Sequence, residues 1–165
     1  MARDTLKALA RRIGARLKKR HLKLATAESC TGGWIAQAVT SVSGSSEWFD
    51  RGFVTYSNEA KKELLGVRAR TLSRHGAVSR ETAKEMAAGA LDRSRAQVSI
   101  AVTGVAGPRG GTPTKPVGTV CFAWSRKRGA MESVTRRFRG GRERVRRQSV
   151  VFALKGLLER LEETE

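Results

Sequence analysis

The sequence predicts an α/β fold: a three-layer α/β/α sandwich on a mixed β-sheet, in a single domain that spans residues 1–165. Segments with helical periodicity alternate with short apolar segments in the first half of the chain, which is typical of parallel strands. Three strand-like segments then follow one another closely, which favours antiparallel pairing. A chain of this length buries roughly 70% of its unfolded surface, so we expect no disulfide or metal staple.

Helices are predicted where apolar residues recur at intervals of three or four positions. The first helix is basic and amphipathic, so it either lies on a membrane surface or packs on the sheet. Its apolar stripe lacks aromatic residues, which favours packing. Asn58 is the predicted N-cap of the third helix, which Gly66 ends, and Ser79 caps the fifth. The predicted helices span residues 4–20, 31–41, 59–65, 70–75, 80–93 and 142–162.

The residues predicted to face the core are aliphatic in each of the three longest helices. They are Leu6, Leu9, Ala10, Ile13 and Leu17 in the first, Ala83, Met86, Ala87, Ala90 and Leu91 in the fifth, and Val150, Leu154, Leu157, Leu158 and Leu161 in the last. Strands are predicted from short apolar runs over residues 22–26, 52–56, 98–102, 117–124 and 132–138.

The composition limits the classes of function. With two cysteines and two histidines, the chain has no obvious zinc site and no disulfide framework, so we expect no metal and a reducing compartment. No apolar run of 18 residues and no signal-peptide core are present, so we expect a cytoplasmic protein without membrane association. The formal net charge of +18 indicates either an acidic partner, such as nucleic acid or a phosphorylated small molecule, or a generally basic surface.

Three polar loops each follow a predicted strand: residues 28–33, 56–61 and 103–111. Ligands of open α/β sheets bind outside the carboxyl ends of the strands, so these loops predict one shared site. The glycine-rich third loop has neither the spacing of a Walker A loop nor a following helix that would indicate a dinucleotide site. It either approaches a ligand through its main-chain N–H groups or is a turn-rich connection.

Ser29 lies on the strand-to-helix turn and is a candidate nucleophile that needs a base. His21 and His75 are poorly placed, so Lys61 is the remaining candidate, provided that its pKa is lowered. Tyr56 would lie between Lys61 and Ser29 and relay or hold the proton. The simpler alternatives are an N-cap role for Ser29 and a surface position for Lys61, and Cys30 is a rival nucleophile without a paired histidine.

Seven arginines lie between residues 136 and 147. This cluster indicates either a phosphate or nucleic-acid site or a solvated helix start. A bound anion would relieve the conflict between these arginines and the helix dipole.

Five segments together resemble one known family. They are TAESCTGG (26–33), GFVTYSNEAK (52–61), HGAVS (75–79), GVAGPRGG (104–111) and KPVGTV (115–120). They resemble the CinA C-terminal-domain family, whose stand-alone members are nicotinamide-nucleotide amidases, over roughly residues 4–160. The resemblance departs from the family pattern at Arg109 and Cys121.

The resemblance implies hydrolysis of nicotinamide mononucleotide (NMN) to nicotinate mononucleotide and ammonia in pyridine-nucleotide recycling, through a serine acyl-enzyme and without a cofactor. Ser29 falls on the nucleophile, and Tyr56 and Lys61 on its activating partners. A homo-oligomer such as a dimer is compatible with it. The expected substrate-binding or oxyanion-binding residues are Thr31, Gly32, Gly33, Asn58, Gly104, Ala106, Gly107, Gly110, Gly111 and Arg142. Two alternatives stay open: a basic nucleic-acid-binding accessory protein and a non-catalytic pyridine-nucleotide-binding protein.

Overall fold

A five-stranded mixed sheet forms the centre of the molecule, as seen in a computed structural model. The structure describes residues 2–163, with side chains from Thr5 onwards. The helices are α1 (Ala2–Lys19), α2 (Trp34–Thr40), α3 (Asn58–Leu65), α4 (Ala69–His75), α5 (Arg80–Asp92) and α6 (Arg142–Glu163). The strands are β1 (Leu24–Glu28), β2 (Phe49–Val54), β3 (Val98–Gly104), β4 (Thr119–Arg126) and β5 (Met131–Arg137), and a 3₁₀ turn covers Ser45–Glu47.

The strand order is β2-β1-β3-β4-β5. Strand β1 pairs in parallel with both β2 and β3, whereas β3–β4 and β4–β5 are antiparallel. Glu28 at the end of β1 is in register with Val54 at the end of β2 and with Val102 near the end of β3. The carboxyl ends of the three parallel strands therefore meet at one edge, as the sequence predicts.

Two apolar cores separate the layers. One joins the sheet to α1, α2 and α6 around Ile13, Phe122 and Leu154, and the other joins it to α3, α4 and α5 around Leu65 and Met86. The stripes predicted for α1, α5 and α6 are buried in these cores. The predicted α/β class, layers and mixed sheet are confirmed, and α1 packs on α6 and α2.

Several boundaries differ from the prediction for identifiable reasons. Helix α2 starts at Trp34 rather than at residue 31, because Gly32 and Gly33 adopt positive φ angles of 60° and 102°. Ser57, not Asn58, is the N-cap of α3, because the Ser57 side chain accepts a hydrogen bond from the main-chain N–H of Ala60. Among residues 2–163, no helix combines the length and apolar character needed to cross a membrane.

Candidate active site

A cavity of about 290 Å³ opens where the three polar loops meet. None of its described lining residues is acidic, and three of them are basic. The lining consists of Ser29, Cys30, Tyr56, Asn58, Lys61, Ala77, Val78, Thr103, Gly104, Val105, Ala106, Gly107, Arg109, Gly110 and Arg142. This composition suits an anionic ligand.

Ser29 and Lys61 form a buried pair at the base of this cavity. The Lys61 ammonium nitrogen, Nζ, lies 3.0 Å from Ser29 Oγ and 3.0 Å from the main-chain carbonyl oxygen of Tyr56. Only 1% of Lys61 and 7% of Ser29 is exposed. Neither simpler alternative fits, because Lys61 is not on the surface and the N-cap position of α2 belongs to Gly33. The neighbouring Lys62 is exposed and pairs with Glu59.

Burial lowers the pKa of Lys61, because removal from water disfavours the charged ammonium. The nearby Cys30 acts weakly in the opposite direction. A lysine with a lowered pKa can be neutral and accept a proton, so the pair has the arrangement of a nucleophile with its base.

Tyr56 reaches this pair with its main chain and not with its phenol ring. Its carbonyl oxygen accepts hydrogen bonds from Lys61 Nζ and, at 3.4 Å, from Ser29 Oγ. The side chain is 63% exposed, and its hydroxyl accepts a 3.4 Å hydrogen bond from Arg142 Nη2. The structure therefore corrects the expectation that the phenol lies between Lys61 and Ser29: the short connection from strand β2 into helix α3 brings the carbonyl there instead.

The Cys30 thiol lines the cavity but is poorly suited to attack. Burial raises the pKa of this thiol to about 12, with a smaller contribution from the negative charge of Glu28. Because the thiolate is the reactive form, the thiol is inert at neutral pH.

Glu28 fixes the turn that presents Ser29. Its buried carboxylate accepts hydrogen bonds from the Thr31 hydroxyl at 2.6 Å and from the main-chain N–H groups of Ile35 and Ala36 at 2.8 and 3.1 Å. These N–H groups belong to the first turn of α2, so Glu28 supplies the cap that its glycine N-cap lacks. Sequence reasoning missed this contact, because it joins the end of β1 to helix α2, which begins six residues further along the chain.

The expected binding residues divide into two groups. The cavity is lined by Asn58, Gly104, Ala106, Gly107, Gly110 and Arg142, and Arg142 Nη1 also donates a 2.7 Å hydrogen bond to the carbonyl of Gly107. Outside the lining lie Thr31, Gly32, Gly33 and Gly111. The N–H of Gly32 donates to the carbonyl oxygen of Ser29, so the Gly32 N–H is already occupied.

Two further residues near the site were not singled out by sequence reasoning. Thr103 ends the buried part of β3 and donates to the carbonyl of Ala77. Arg146 donates hydrogen bonds to the carbonyls of Cys30 and Thr31, and these two bonds tie α6 to the turn at Ser29. The available signal was that Arg146 falls one helical turn after Arg142. Among the residues that the structure describes, no three histidine, cysteine or acidic side chains lie close enough to hold a metal ion.

Comparisons with known proteins agree with this architecture. The family model of the CinA C-terminal domain matches residues 6–161. The chain is 52% identical over 159 residues to the nicotinamide-nucleotide amidohydrolase PncC of Escherichia coli K12, covering 95% of each chain. It is 50% identical to the PncC of Pseudomonas putida over 156 residues, 94% of this chain and 97% of that one.

A solved structure is similarly close. The crystal structure of the competence/damage inducible protein CihA from Agrobacterium tumefaciens superposes with a TM-score of 0.93 at 48% identity, covering 96% of each chain. With the family model matching almost the whole chain and the relatives about half identical, this protein belongs to the CinA C-terminal domain family.

Proposed function

We propose that this protein hydrolyses the carboxamide of nicotinamide mononucleotide, giving nicotinate mononucleotide and ammonia in pyridine-nucleotide recycling. The observation that carries the proposal is the buried 3.0 Å contact between Ser29 Oγ and Lys61 Nζ. The relatives named nicotinamide-nucleotide amidohydrolase support the choice of substrate. The basic cavity supports a phosphorylated one.

In the proposed mechanism, neutral Lys61 takes the proton of Ser29 as Oγ attacks the carboxamide carbon. The tetrahedral intermediate then collapses, its C–N bond breaks, and Lys61 returns the proton to the departing ammonia. Water attacks the resulting ester with Lys61 again as base, which releases the acid and restores Ser29. Tyr56 contributes its carbonyl, which holds Nζ in line with Oγ.

The oxyanion of the intermediate needs main-chain donors that are not already occupied. Within the described chain, the N–H groups of Cys30, Thr31, Ala106 and Gly107 make no hydrogen bond with another residue. Thr31 is fully buried and outside the cavity lining, so we assign the oxyanion to the N–H groups of Cys30, Ala106 and Gly107. Loss of one such donor typically lowers kcat by ~10²–10³.

Arg142 at the cavity wall is the proposed binding partner of the substrate phosphate. Its guanidinium is held by the Gly107 carbonyl and the Tyr56 hydroxyl, so it is oriented before a ligand arrives. Asn58 and the remaining N–H groups of residues 104–110 complete the proposed binding surface.

The test is ammonia release from NMN by the purified protein and its variants. Ser29→Ala should lower kcat by at least ~10³, since the nucleophile is removed. Lys61→Ala should lower kcat far more than it changes KM. Lys62→Ala is the matched control and should stay within about twofold of wild type, because Lys62 is exposed and outside the cavity.

Three outcomes would contradict parts of this proposal. Wild-type protein that binds NMN without releasing ammonia would be a pyridine-nucleotide-binding protein, and the proposal would fail. Unchanged turnover in Ser29→Ala would reject the acyl-enzyme. A change confined to KM in Lys61→Ala would reduce Lys61 to a binding residue.

A further inference from the structure

Arg146 contacts the nucleophile turn without lining the cavity. Its Nε donates to the carbonyl oxygen of Cys30 at 3.0 Å, and its Nη2 donates to the carbonyl oxygen of Thr31 at 3.3 Å. One guanidinium on α6 thus holds two consecutive peptide groups, Cys30–Thr31 and Thr31–Gly32. Arginine suits this task because its planar fork can donate to two acceptors at once.

The hydrogen bonds around the turn leave the N–H groups of Cys30 and Thr31 without a partner in another residue. Of these two residues, Cys30 lines the cavity, whereas Thr31 is fully buried outside the lining. The Ser29 carbonyl accepts from Gly32 N–H, and the Cys30 carbonyl accepts from Arg146. In a trans peptide the C=O and N–H point in opposite directions. The N–H of Cys30 therefore points away from Gly32, and the N–H of Thr31 points away from Arg146.

The surroundings of Arg146 match this role. The guanidinium packs directly over Gly32, because a Cβ atom at position 32 would lie in ordinary van der Waals contact with Arg146 Nη2, at 3.4 Å. The guanidinium also lies over the Trp34 ring, 5.6 Å from its centroid. From the other side, the Glu28 carboxylate holds the Thr31 hydroxyl and the start of α2.

We propose that Arg146 is a positioning residue: by holding the carbonyls of Cys30 and Thr31, it fixes the turn in which the Gly32 N–H holds the Ser29 carbonyl, and it thereby keeps the Cys30 N–H oriented as an oxyanion donor. This inference rests on the proposed acyl-enzyme reaction. Arg146 lies outside the cavity lining and makes no hydrogen bond with Ser29 Oγ, so it acts on turnover through the main chain alone.

Arg147 provides a matched control. Its guanidinium lies 5.7 Å from the same Trp34 centroid, and its described ion pair is a 3.9 Å contact with exposed Glu143. Among the described residues it donates no hydrogen bond to the turn. Substitution of either arginine removes one positive charge and one ring contact, but only Arg146→Met releases the two carbonyls.

The experiment measures kcat and KM for NMN in Arg146→Met, Arg146→Lys and Arg147→Met, well below their melting temperatures. Arg146→Met should lose ~10- to 100-fold in kcat with KM within about twofold. Arg146→Lys should be intermediate, because one ammonium cannot replace the two-pronged contact. Arg147→Met should keep both constants within about twofold of wild type.

The proposal is overturned if Arg146→Met keeps wild-type kcat, if its loss appears only in KM, or if Arg147→Met loses the same factor. Should Arg146→Met not fold, Arg146→Lys decides, since it keeps the charge and most of the side chain. Failure of the proposed function itself is distinguishable, because the wild-type protein would then release no ammonia from NMN.

Discussion

Lys61 places an amine in a position with 1% exposure, where ordinary packing would favour an apolar side chain. Its partners are one hydroxyl and one carbonyl, and the described structure gives it no carboxylate to compensate the charge. Burial lowers the pKa of Lys61 in the folded protein, whereas the unfolded chain keeps the ordinary value near ~10.4. The unfolded state therefore binds more protons between these two pKa values.

Lys61→Met should accordingly raise the melting temperature near neutral pH while it abolishes turnover. Stability of the wild type increases as pH rises from the folded pKa towards ~10.4, so the advantage of the variant should shrink over that window. Thermal unfolding at a series of pH values checks this, with exposed Lys62→Met as the control that should show no such gain. A variant less stable than wild type at pH 7 would contradict the expectation.

At the scale of elements, α3 carries Lys61 to the cavity and ends against α5. The contact is close because Gly89 of α5 has no side chain: a Cβ atom there would overlap the carbonyl oxygen of Leu65, the last residue of α3. The close approach of α3 and α5 therefore depends on Gly89. The position of α3, which carries the proposed base Lys61, depends on it as well.

Gly89→Ala should destabilise the protein by about 1–3 kcal/mol, because the added methyl group must push α3 away from α5. Chemical denaturation measures the change in the free energy of unfolding. Lys84→Ala, an exposed substitution on the same helix, should stay within about 0.5 kcal/mol of wild type. Equal stability of Gly89→Ala and Lys84→Ala would show that the helix contact is not close-packed.

At the scale of the whole molecule, the net charge is +18 and the described cavity lining has no acidic residue. Both features favour the approach of an anionic ligand to the cavity. Arg109 is exposed at the cavity and makes no hydrogen bond or ion pair with a described residue, so its charge is available to an approaching anion. Charges of one sign around a cleft raise the rate of capture of an oppositely charged ligand, and salt screens this effect.

We expect kcat/KM for NMN to fall by about 3- to 10-fold between 50 and 500 mM NaCl. The phosphate-free analogue nicotinamide riboside should show little dependence on salt. Arg109→Ala should reduce the dependence for NMN, whereas Arg11→Ala, exposed on α1 and outside the cavity lining, should leave it unchanged. Equal salt dependence for the two substrates would contradict steering by the phosphate.

The sequence by itself determined the order of the elements, the buried stripes of α1, α5 and α6, and the three loops that meet at one sheet edge. These features follow from local periodicity and from the rule that parallel strands share their carboxyl ends, so neighbours in the chain suffice to predict them.

Only the tertiary structure decided which atoms meet. The Tyr56 carbonyl replaces its phenol beside Lys61, Ser57 replaces Asn58 as N-cap, and Glu28 caps α2 across a turn with two left-handed glycines. Arg146 reaches Cys30 from 116 positions away. Such contacts depend on main-chain direction and on the packing of distant helices, which composition and spacing do not encode.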